Sequence, residues 1–398
     1  MKKCHVGPET IRMLELGHPW VLSDRYTKQW PVGESGELIA LVDDKNHHLA
    51  TALYDPKDRI VARVLDHNKI QLTVEWLEKK LLQAKLLRLH ARLDETDAYR
   101  WLNSEGDGLP GVTIDRYGDY VMLQLYTSGW DIHLDLLTTA VQKVFQPKGI
   151  YRKLRPQETR ALEAKRRTKE YSRLIAGKPA PVPLQVQENG LNFLVDLREG
   201  LNTGLFPDQR RNRQEFSARV AGKRVLNLFA FTGAFSVVAA ASGAQKVTSV
   251  DVSAKYLDIA RENFSINRIN PKRHEFVVGD VFTELAKMQA QKRRFDVILF
   301  DPPSFSTTSK SRFSTHGGTS KLVSATMPLL ESGGLLISSS NHQKVSMDDY
   351  MKELRRGALQ SGDQLKTIFT SGQPEDFPCS VSFPEGRYLK FVISVKNQ

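Results

Sequence analysis

The sequence predicts an α/β protein in which a small β domain and a central α+β domain precede a parallel sheet with helices on both faces. Two observations predict this architecture. From about residue 222, apolar runs of strand length alternate with segments of helical periodicity, which is typical of a parallel sheet covered by helices. Before residue 70 the apolar runs are short and alternating, and no long helical period interrupts them.

The first two domains are predicted from short patterns. Strands in residues 1–71 are indicated by ELIALVDD, LATALYD and RIVARVLD. Leucines at three- and four-residue spacing predict a helix over 72–95 at the start of a central domain, 72–185. A turn at Gly108–Gly111 and a hairpin at Arg116–Asp119 follow. The charged segment 160–173 indicates an exposed helix or loop, and prolines at 179–183 indicate a linker.

The third domain, 186–398, is predicted as a Rossmann-like sheet of seven strands. Five strands alternate with helices and read VLNLF, KVTSVD, HEFVVGD, FDVILFDPP and GLLISSS. The last two strands, LKTIFTS and RYLKFVISV, have nothing helical between them. A closing hairpin of this kind makes the last strand antiparallel to the others.

Composition excludes several classes of protein. The chain has 398 residues, no apolar run of membrane-spanning length and no hydrophobic segment at its N-terminus, so we expect a cytoplasmic protein. The cysteines, Cys4 and Cys379, are too few for a disulfide framework or a four-thiolate zinc site, and we expect no metal. The net charge of +12 favours a polyanionic partner such as nucleic acid. A homodimer stays open.

The strongest functional signal is the turn after the first strand of the third domain. The strand runs into Phe229–Gly233, and the next strand ends about twenty residues later at Asp251. In a parallel sheet such a turn brings backbone amides to a nucleoside, and the acid accepts hydrogen bonds from ribose hydroxyls. A dinucleotide site needs three glycines to admit a pyrophosphate, whereas this turn has only Gly233. The turn therefore favours S-adenosylmethionine over NAD.

Two further strand ends complete the expected site. The third strand ends at Gly279, followed by Asp280 and Val281, where a carboxylate would accept the adenine amine and a valine would cover the ring. The fourth ends at Asp301, followed by Pro302–Phe305, where two prolines fix the loop direction and leave carbonyls without competing amides. Such a loop can hold a planar base against the methyl donor. Four strand ends in this order predict a methyltransferase.

Along nearly its full length the chain resembles a known family. The second half is similar to class I S-adenosylmethionine-dependent methyltransferases, and the whole chain resembles bacterial 23S rRNA methyltransferases of the cytosine-5 large-subunit type. The motifs that carry the resemblance are Leu16–Val21 with Gly33 and Glu34, similar to a PUA RNA-binding domain, then Ser104–Gly111, Ile114–Arg116, Thr203–Arg210, Phe383–Gly386 and Tyr388–Lys390. The resemblance implies methylation of 23S rRNA, with RNA held by the N-terminal and central domains.

The motifs and the resemblance together nominate two sets of residues. Those expected to bind the cofactor are Phe206, Gln209, Arg210, Phe229, Ala230, Phe231, Thr232, Gly233, Asp251, Val252, Asp280, Val281 and Asp301. Those expected to take part in catalysis are Asp301, Pro302, Pro303 and Asn341. In the first set, backbone amides and the Thr232 hydroxyl would face the methionyl part of the cofactor.

One position departs from the cytosine-5 enzymes. Cytosine C5 is a poor nucleophile, and its methylation needs a thiolate that adds to C6. In those enzymes the cysteine follows the fifth strand, where this chain reads Ser338–His342 with Asn341 at the thiol position. This segment instead resembles the guanine-N7 methyltransferase domain of fused 23S rRNA enzymes. Guanine N7 carries a lone pair and no proton, so we expect direct in-line transfer that needs only positioning, with the Asn341 amide on the base edge.

Three alternatives stay open at this point. Cys379, between the last two strands, could supply the thiolate for cytosine-5 chemistry. A non-catalytic RNA-binding protein acting in ribosome assembly would have no need of Gly233, Asp251 and Asp280 together. A small-molecule methyltransferase is disfavoured by the N-terminal domain and by the positive charge.

Overall fold

The computed structural model describes residues 1–154, 170–200, 202–303, 305–307 and 312–397, with side chains described outside 305–307 and 312–317. Most of the charged segment 160–173 and Ser304 therefore lie outside the described residues. The described part of the chain contains no helix that is both long enough and apolar enough to cross a membrane. Its histidine, cysteine and acidic side chains also form no cluster suited to a metal ion.

The N-terminal domain is a five-stranded sheet. Its strands lie in the order β1-β3-β4-β5-β2, and β1 runs parallel to β3 while the other pairs are antiparallel. Buried apolar side chains and the thiol of Cys4 fill its core. The elements are β1 (Lys2–His5), α1 (Pro8–Glu15), β2 (Trp20–Leu22), β3 (Leu38–Val42), β4 (His48–Tyr54) and β5 (Ile60–Asp66).

The central domain packs two helices against a second five-stranded sheet. The helices contribute Leu77, Leu81 and Leu137 to a core that also buries Trp130. The sheet order is β10-β9-β8-β7-β6. The elements are α2 (Val74–Leu87), β6 (Ala98–Asn103), β7 (Val112–Tyr117), β8 (Tyr120–Leu125), α3 (Leu134–Phe145), β9 (Gly149–Lys153) and β10 (Ser172–Gly177).

A two-stranded ribbon, β11 (Leu184–Glu188) and β12 (Leu191–Val195), follows the proline segment. The boundary predicted at 185/186 falls inside β11, and cutting there would break the ribbon. The described break in secondary structure is residues 178–183, between β10 and β11. This segment contains the prolines at 179–183 that indicate a linker in the sequence.

The C-terminal domain is the predicted seven-stranded sheet, in the order β15-β14-β13-β16-β19-β21-β20. Only β21 is antiparallel to its neighbours, as expected from a closing hairpin. Its helices are α4 (Arg210–Ser217), α5 (Ala234–Ala241), α6 (Ala254–Ile266), α7 (Val281–Ala290), α8 (Thr315–Thr326) and α9 (Met347–Gln360). Its strands are β13 (Arg224–Leu228), β14 (Lys246–Asp251), β15 (Glu275–Val278), β16 (Phe295–Phe300), β19 (Leu330–Ser340), β20 (Leu365–Ser371) and β21 (Lys390–Lys396), and β17 (Phe305–Thr307) pairs with β18 (Arg312–Ser314) as a separate hairpin.

Helices cover both faces of this sheet because successive strand residues point to opposite sides. Along β13, Val225 joins the core beneath α5 and α6, whereas Leu226 and Leu228 join the core beneath α7, α8 and α9. Both faces are therefore apolar, and the polar strand ends are left at the carboxyl edge of the sheet. The candidate site lies at that edge.

Candidate active site at the carboxyl edge of the sheet

The turn after β13 has an unusual backbone. Phe229, Phe231 and Gly233 all have positive φ angles, of 57°, 51° and 77°. Two bulky residues in the left-handed region mark a turn that the surrounding structure forces into shape, which is common where a backbone must face a ligand. Glycine is required at position 233 for two reasons. Its φ angle is positive, and a Cβ there would lie 2.7 Å from the Cβ of Ala260.

Asp251 holds this turn in place. Its Oδ2 accepts a hydrogen bond from the backbone N–H of Phe231 at 2.9 Å, and its Oδ1 accepts one from the N–H of Ser253 at 2.9 Å. Burial raises the pKa of the Asp251 carboxyl, and the backbone donors oppose that rise. Each oxygen keeps a lone pair, so the carboxylate can accept further hydrogen bonds from a ligand hydroxyl.

Apolar groups surround the acid. The Phe231 ring lies 5.4 Å from that of Phe206 and 4.5 Å from that of Tyr256, measured between centroids. Val252 and Val278, at the ends of β14 and β15, are 54% and 49% exposed. Exposed apolar side chains beside a buried carboxylate suit a ligand that carries both a flat ring and hydroxyl groups.

The third strand end differs in part from its expected role. Asp280 caps α7, its Oδ1 accepting from the backbone N–H and the hydroxyl of Thr283. Val281 is 2% exposed and belongs to the sheet core, so it does not cover a ligand ring as expected. Val278 is the exposed valine at this position of the edge. Sequence reasoning missed it because alternation along a four-residue edge strand does not tell which valine faces out.

Two further nominations are also altered by the structure. The Thr232 side chain is 1% exposed, and its hydroxyl donates to the carbonyl of Gly204 instead of facing outward. Arg210 is fully buried, and its guanidinium donates to Asp376 Oδ1 at 2.6 Å and to the carbonyl of Arg92. Arg210 therefore joins the C-terminal and central domains and has no described contact with the strand ends.

The fourth strand end carries the carboxylate of Asp301. Gln209 Nε2 donates to Asp301 Oδ2 and to the hydroxyl of Ser339, both at 2.8 Å. Burial, together with the nearby carboxylate of Asp208, raises the pKa of Asp301 to about 6, although the hydrogen bonds to Ser339 and Gln209 oppose this rise. Pro302 is buried and Pro303 is exposed. The edge thus presents a carboxyl group that changes charge near neutral pH.

The fifth strand end brings the remaining nominated residue to the same edge. Ser338, Ser339 and Ser340 are buried, and Asn341 is the first exposed residue after β19. The side-chain amide of Gln209 donates to both Asp301 and Ser339, and it therefore joins the ends of β16 and β19.

Comparison with known proteins agrees with this geometry. The sequence model of a family described as S-adenosylmethionine-dependent methyltransferase matches residues 152–381, and a PUA-like domain matches residues 5–67. This chain belongs to the S-adenosylmethionine-dependent methyltransferase family. The predicted fold, cofactor and class of activity are thereby confirmed, as is the PUA-like N-terminal domain.

Relatives of this methyltransferase are similar over most of their length. Ribosomal RNA large subunit methyltransferase I of Klebsiella pneumoniae is 35% identical over 94% of this chain and 93% of its own, and the Yersinia pseudotuberculosis protein of the same name is 34% identical over 94% of both. A crystal structure of a methyltransferase complexed with S-adenosylhomocysteine has a TM-score of 0.88 at 31% identity, covering 99% of this chain and 100% of that one. A methyltransferase from Streptococcus mutans has a TM-score of 0.86 at 30% identity with the same coverage.

A large cleft opens where the three domains of the methyltransferase meet. Its volume is about 1550 Å³, and the segment between β20 and β21 forms one wall. Trp20 fixes the N-terminal domain there, since its Nε1 donates to Glu105 at 2.8 Å and its ring packs on Phe383. The cations that line the cleft are Arg59, Arg63, Arg100, Arg211, Lys344, Arg387 and Lys390.

These cations differ in how far they are already paired. Arg63 pairs with Asp58, Arg100 with Asp115, and Arg211 with Glu375. Lys390 is buried, and its ammonium donates to the carbonyls of His342 and Tyr388.

The other three cleft cations, Arg59, Lys344 and Arg387, are exposed. Among the described residues, none of these three side chains has a hydrogen-bond or ion-pair partner. They are therefore the cations of the cleft most able to bind an added anion.

Neither cysteine resembles an activated nucleophile. Cys4 is 1% exposed in the core of the N-terminal sheet, and burial raises its pKa to about 11. Cys379 lines the cleft and is half-buried, and burial also raises the pKa of its thiol. A catalytic cysteine needs a lowered pKa, because the thiolate is the reactive form.

Proposed function

We propose that this methyltransferase modifies a base of large-subunit ribosomal RNA. The proposal is supported by relatives that are named for this substrate, because this chain aligns with 93–94% of the length of each. A PUA-like domain at residues 5–67 and a net charge of +12 are consistent with a polyanionic RNA substrate.

We further propose that S-adenosylmethionine binds at the carboxyl edge between the β13 turn and β15. The apolar groups would pack on the adenine and methionyl parts, while Asp251 accepts the ribose hydroxyls and Asp280 the adenine amine. When bound, the cofactor supplies an electrophilic methyl group on its sulfonium. The full set is Phe206, Gln209, Phe229, Ala230, Phe231, Thr232, Gly233, Asp251, Val252, Val278, Asp280 and Asp301, of which Thr232 would act through its backbone and Gln209 by holding Asp301.

RNA would enter through the interdomain cleft. Arg59 comes from the N-terminal domain, Lys344 from the loop after β19, and Arg387 from the segment between β20 and β21. Three exposed cations from different parts of the chain around one cleft suit a phosphate backbone that crosses it. In this arrangement residues 1–71 and 72–183 position the RNA, and residues 184–398 carry the methyl-transfer site.

The methyl group would pass directly to a ring nitrogen such as guanine N7. The observation that carries this proposal is the exposed Asn341 at the position where the cytosine-5 enzymes place a cysteine. Asn341 would hydrogen-bond the edge of the base, and Asp301 with Pro302 and Pro303 would hold its plane. A carboxylate can accept the two N–H groups on the Watson–Crick edge of guanine, whereas N7 needs no proton removed before transfer.

The experiment is methylation of 23S rRNA followed by nucleoside mass spectrometry. Purified protein, labelled S-adenosylmethionine and 23S rRNA should yield one labelled nucleoside, a methylguanosine, while 16S rRNA serves as the negative control. The 23S rRNA is supplied in three forms: protein-free, in partly assembled subunits and in complete subunits. The absence of label from all three would refute the RNA assignment.

A second candidate, cytosine-5 methylation through Cys379, is favoured by one observation, the position of this thiol on the cleft wall. It predicts 5-methylcytidine as the product. It also predicts that Cys379→Ser abolishes the reaction.

A further inference from the structure

The amide of Gln209 joins the methyl-transfer edge to helix α4. Its Nε2 donates to Asp301 and Ser339, and its Oε1 accepts from Asn212 Nδ2 at 2.6 Å. Gln209 is 3% exposed and Asn212 is fully buried. Every polar atom of the Gln209 side chain is therefore engaged with protein groups.

Only one orientation of this amide fits its neighbours. If the amide of Gln209 were turned over, its oxygen would face the Asp301 carboxylate and its N–H groups would face the N–H groups of Asn212. Both contacts would be repulsive, and both groups would be buried without partners, which destabilises this orientation. The donor of Asn212 and the acceptor of Asp301 therefore select the same orientation of the Gln209 amide.

Asn212 is in turn held by the wall of the cleft. Its Oδ1 accepts from the hydroxyl of Ser371 at 2.6 Å, and its Nδ2 also donates to the carbonyl of Gly372 at 3.3 Å. Ser371 ends β20, and both residues line the cleft. A continuous chain of hydrogen bonds therefore runs from the cleft wall through two buried amides to the carboxylate of Asp301.

We propose that Asn212 and Gln209 are positioning residues that hold the Asp301 carboxylate in one hydrogen-bonded state and connect that state to the cleft wall at Ser371. The inference rests on the proposed function, in which Asp301 orients the target base. A nucleic acid that presses on Ser371 or Gly372 would act on the same chain of hydrogen bonds.

The substitution that tests this proposal is Asn212→Asp, which keeps the shape of the side chain. The new carboxylate still accepts from Ser371, but it repels Gln209 Oε1 and attracts Nε2, so we expect the Gln209 amide to turn over toward it. Asp301 then loses a donor and faces a carbonyl oxygen and an added negative charge. The other charged groups facing it are Asp208 and Arg213, and the phenol of Tyr350 on α9 lies near them.

The readout is the pKa of Asp301, measured by carbon-13 NMR of labelled aspartate carboxyls in the full-length protein without RNA. Asp301→Asn assigns the resonance. We expect Asn212→Asp to raise the pKa from about 6 to about 7 or higher. The matched control is Gln214→Glu on the same helix, whose amide contacts Arg211 and Asn189, and which should leave the pKa unchanged.

An unchanged Asp301 pKa in folded Asn212→Asp would overturn the proposal. If that variant does not fold, Ser371→Ala provides the same test, since it removes the hydroxyl that orients Asn212. It should raise the Asp301 pKa by a smaller amount, and no rise would likewise overturn the proposal. Because the titration uses no RNA, its outcome is separate from the identity of the substrate, which the methylation experiment decides.

Discussion

Replacing Asp301 with asparagine should stabilise the protein while it removes methyl transfer. Burial raises the pKa of this carboxyl from an ordinary value of 3.8 to about 6, so the native state favours the protonated form. That difference corresponds to about 3 kcal/mol. The stabilisation is fully present in the wild type below about pH 4, and it is lost as the pH rises through about 6.

The Asp301→Asn variant does not lose stability as the pH rises, because the asparagine amide stays neutral and its oxygen can still accept a hydrogen bond from Gln209. The variant and the wild type should therefore unfold at similar temperatures at pH 4. At pH 8 the variant should unfold about 6–12 °C higher, given about 3 kcal/mol and about 2–4 °C per kcal/mol for a domain of this size. Differential scanning calorimetry across this pH range measures the difference, and Asp258→Asn on the surface of α6 is the control. A melting difference that does not grow with pH would refute the assignment of a buried, proton-binding carboxyl to Asp301.

Three further outcomes are expected. Asp251→Ala should weaken S-adenosylmethionine binding by about 10- to 100-fold in calorimetry, because a buried acceptor and the anchor of the β13 turn are both lost, whereas the exposed control Asp258→Ala should not change it. Arg387→Ala should lower the slope of log affinity for RNA against log salt by about 1, as expected for one lost phosphate contact, and Lys272→Ala outside the cleft should not. Asp376→Ala should destabilise the protein by about 3–5 kcal/mol in urea unfolding, since it leaves the fully buried Arg210 with only the longer 3.9 Å contact to Glu375. A loss below 1 kcal/mol would contradict the role of this pair in joining the domains.

The succession of strands and helices along the C-terminal domain could be predicted because each signal is local. An apolar run followed by a helical period specifies a β-α-β unit, and the strand-end acids Asp251 and Asp301 follow from where those runs stop. The closing hairpin was equally local. The predicted boundary at 185/186 falls inside β11, because this strand begins directly after the proline segment that indicates the linker.

The roles of individual polar residues could not be predicted in the same way. Arg210 lies in a motif next to the cofactor turn, yet its partner is Asp376, 166 residues further along the chain. An arginine that binds a ligand and one that forms a buried ion pair look alike in sequence. The amides of Gln209 and Asn212 show the same limit, since only the folded structure brings Asp301 and Ser371 to opposite ends of one hydrogen-bonded chain.

The positive φ angles of Phe229 and Phe231 also could not be predicted from the sequence. Glycine predicts a left-handed position, but phenylalanine does not. These two residues are held in that conformation by surrounding contacts, including the hydrogen bond from Phe231 to Asp251. The motif therefore located the cofactor turn without specifying its shape.

The most direct test of methyl transfer without a thiol uses a cysteine-free protein. Cys4→Ser with Cys379→Ser removes every thiol in the chain. Incubated with 23S rRNA and S-adenosylmethionine, it should form methylguanosine at a rate close to that of the wild type, and the wild type should form no covalent complex with RNA containing 5-fluorocytosine. A trapped complex that disappears in Cys379→Ser, together with 5-methylcytidine as the product, would contradict the account and establish cytosine as the target.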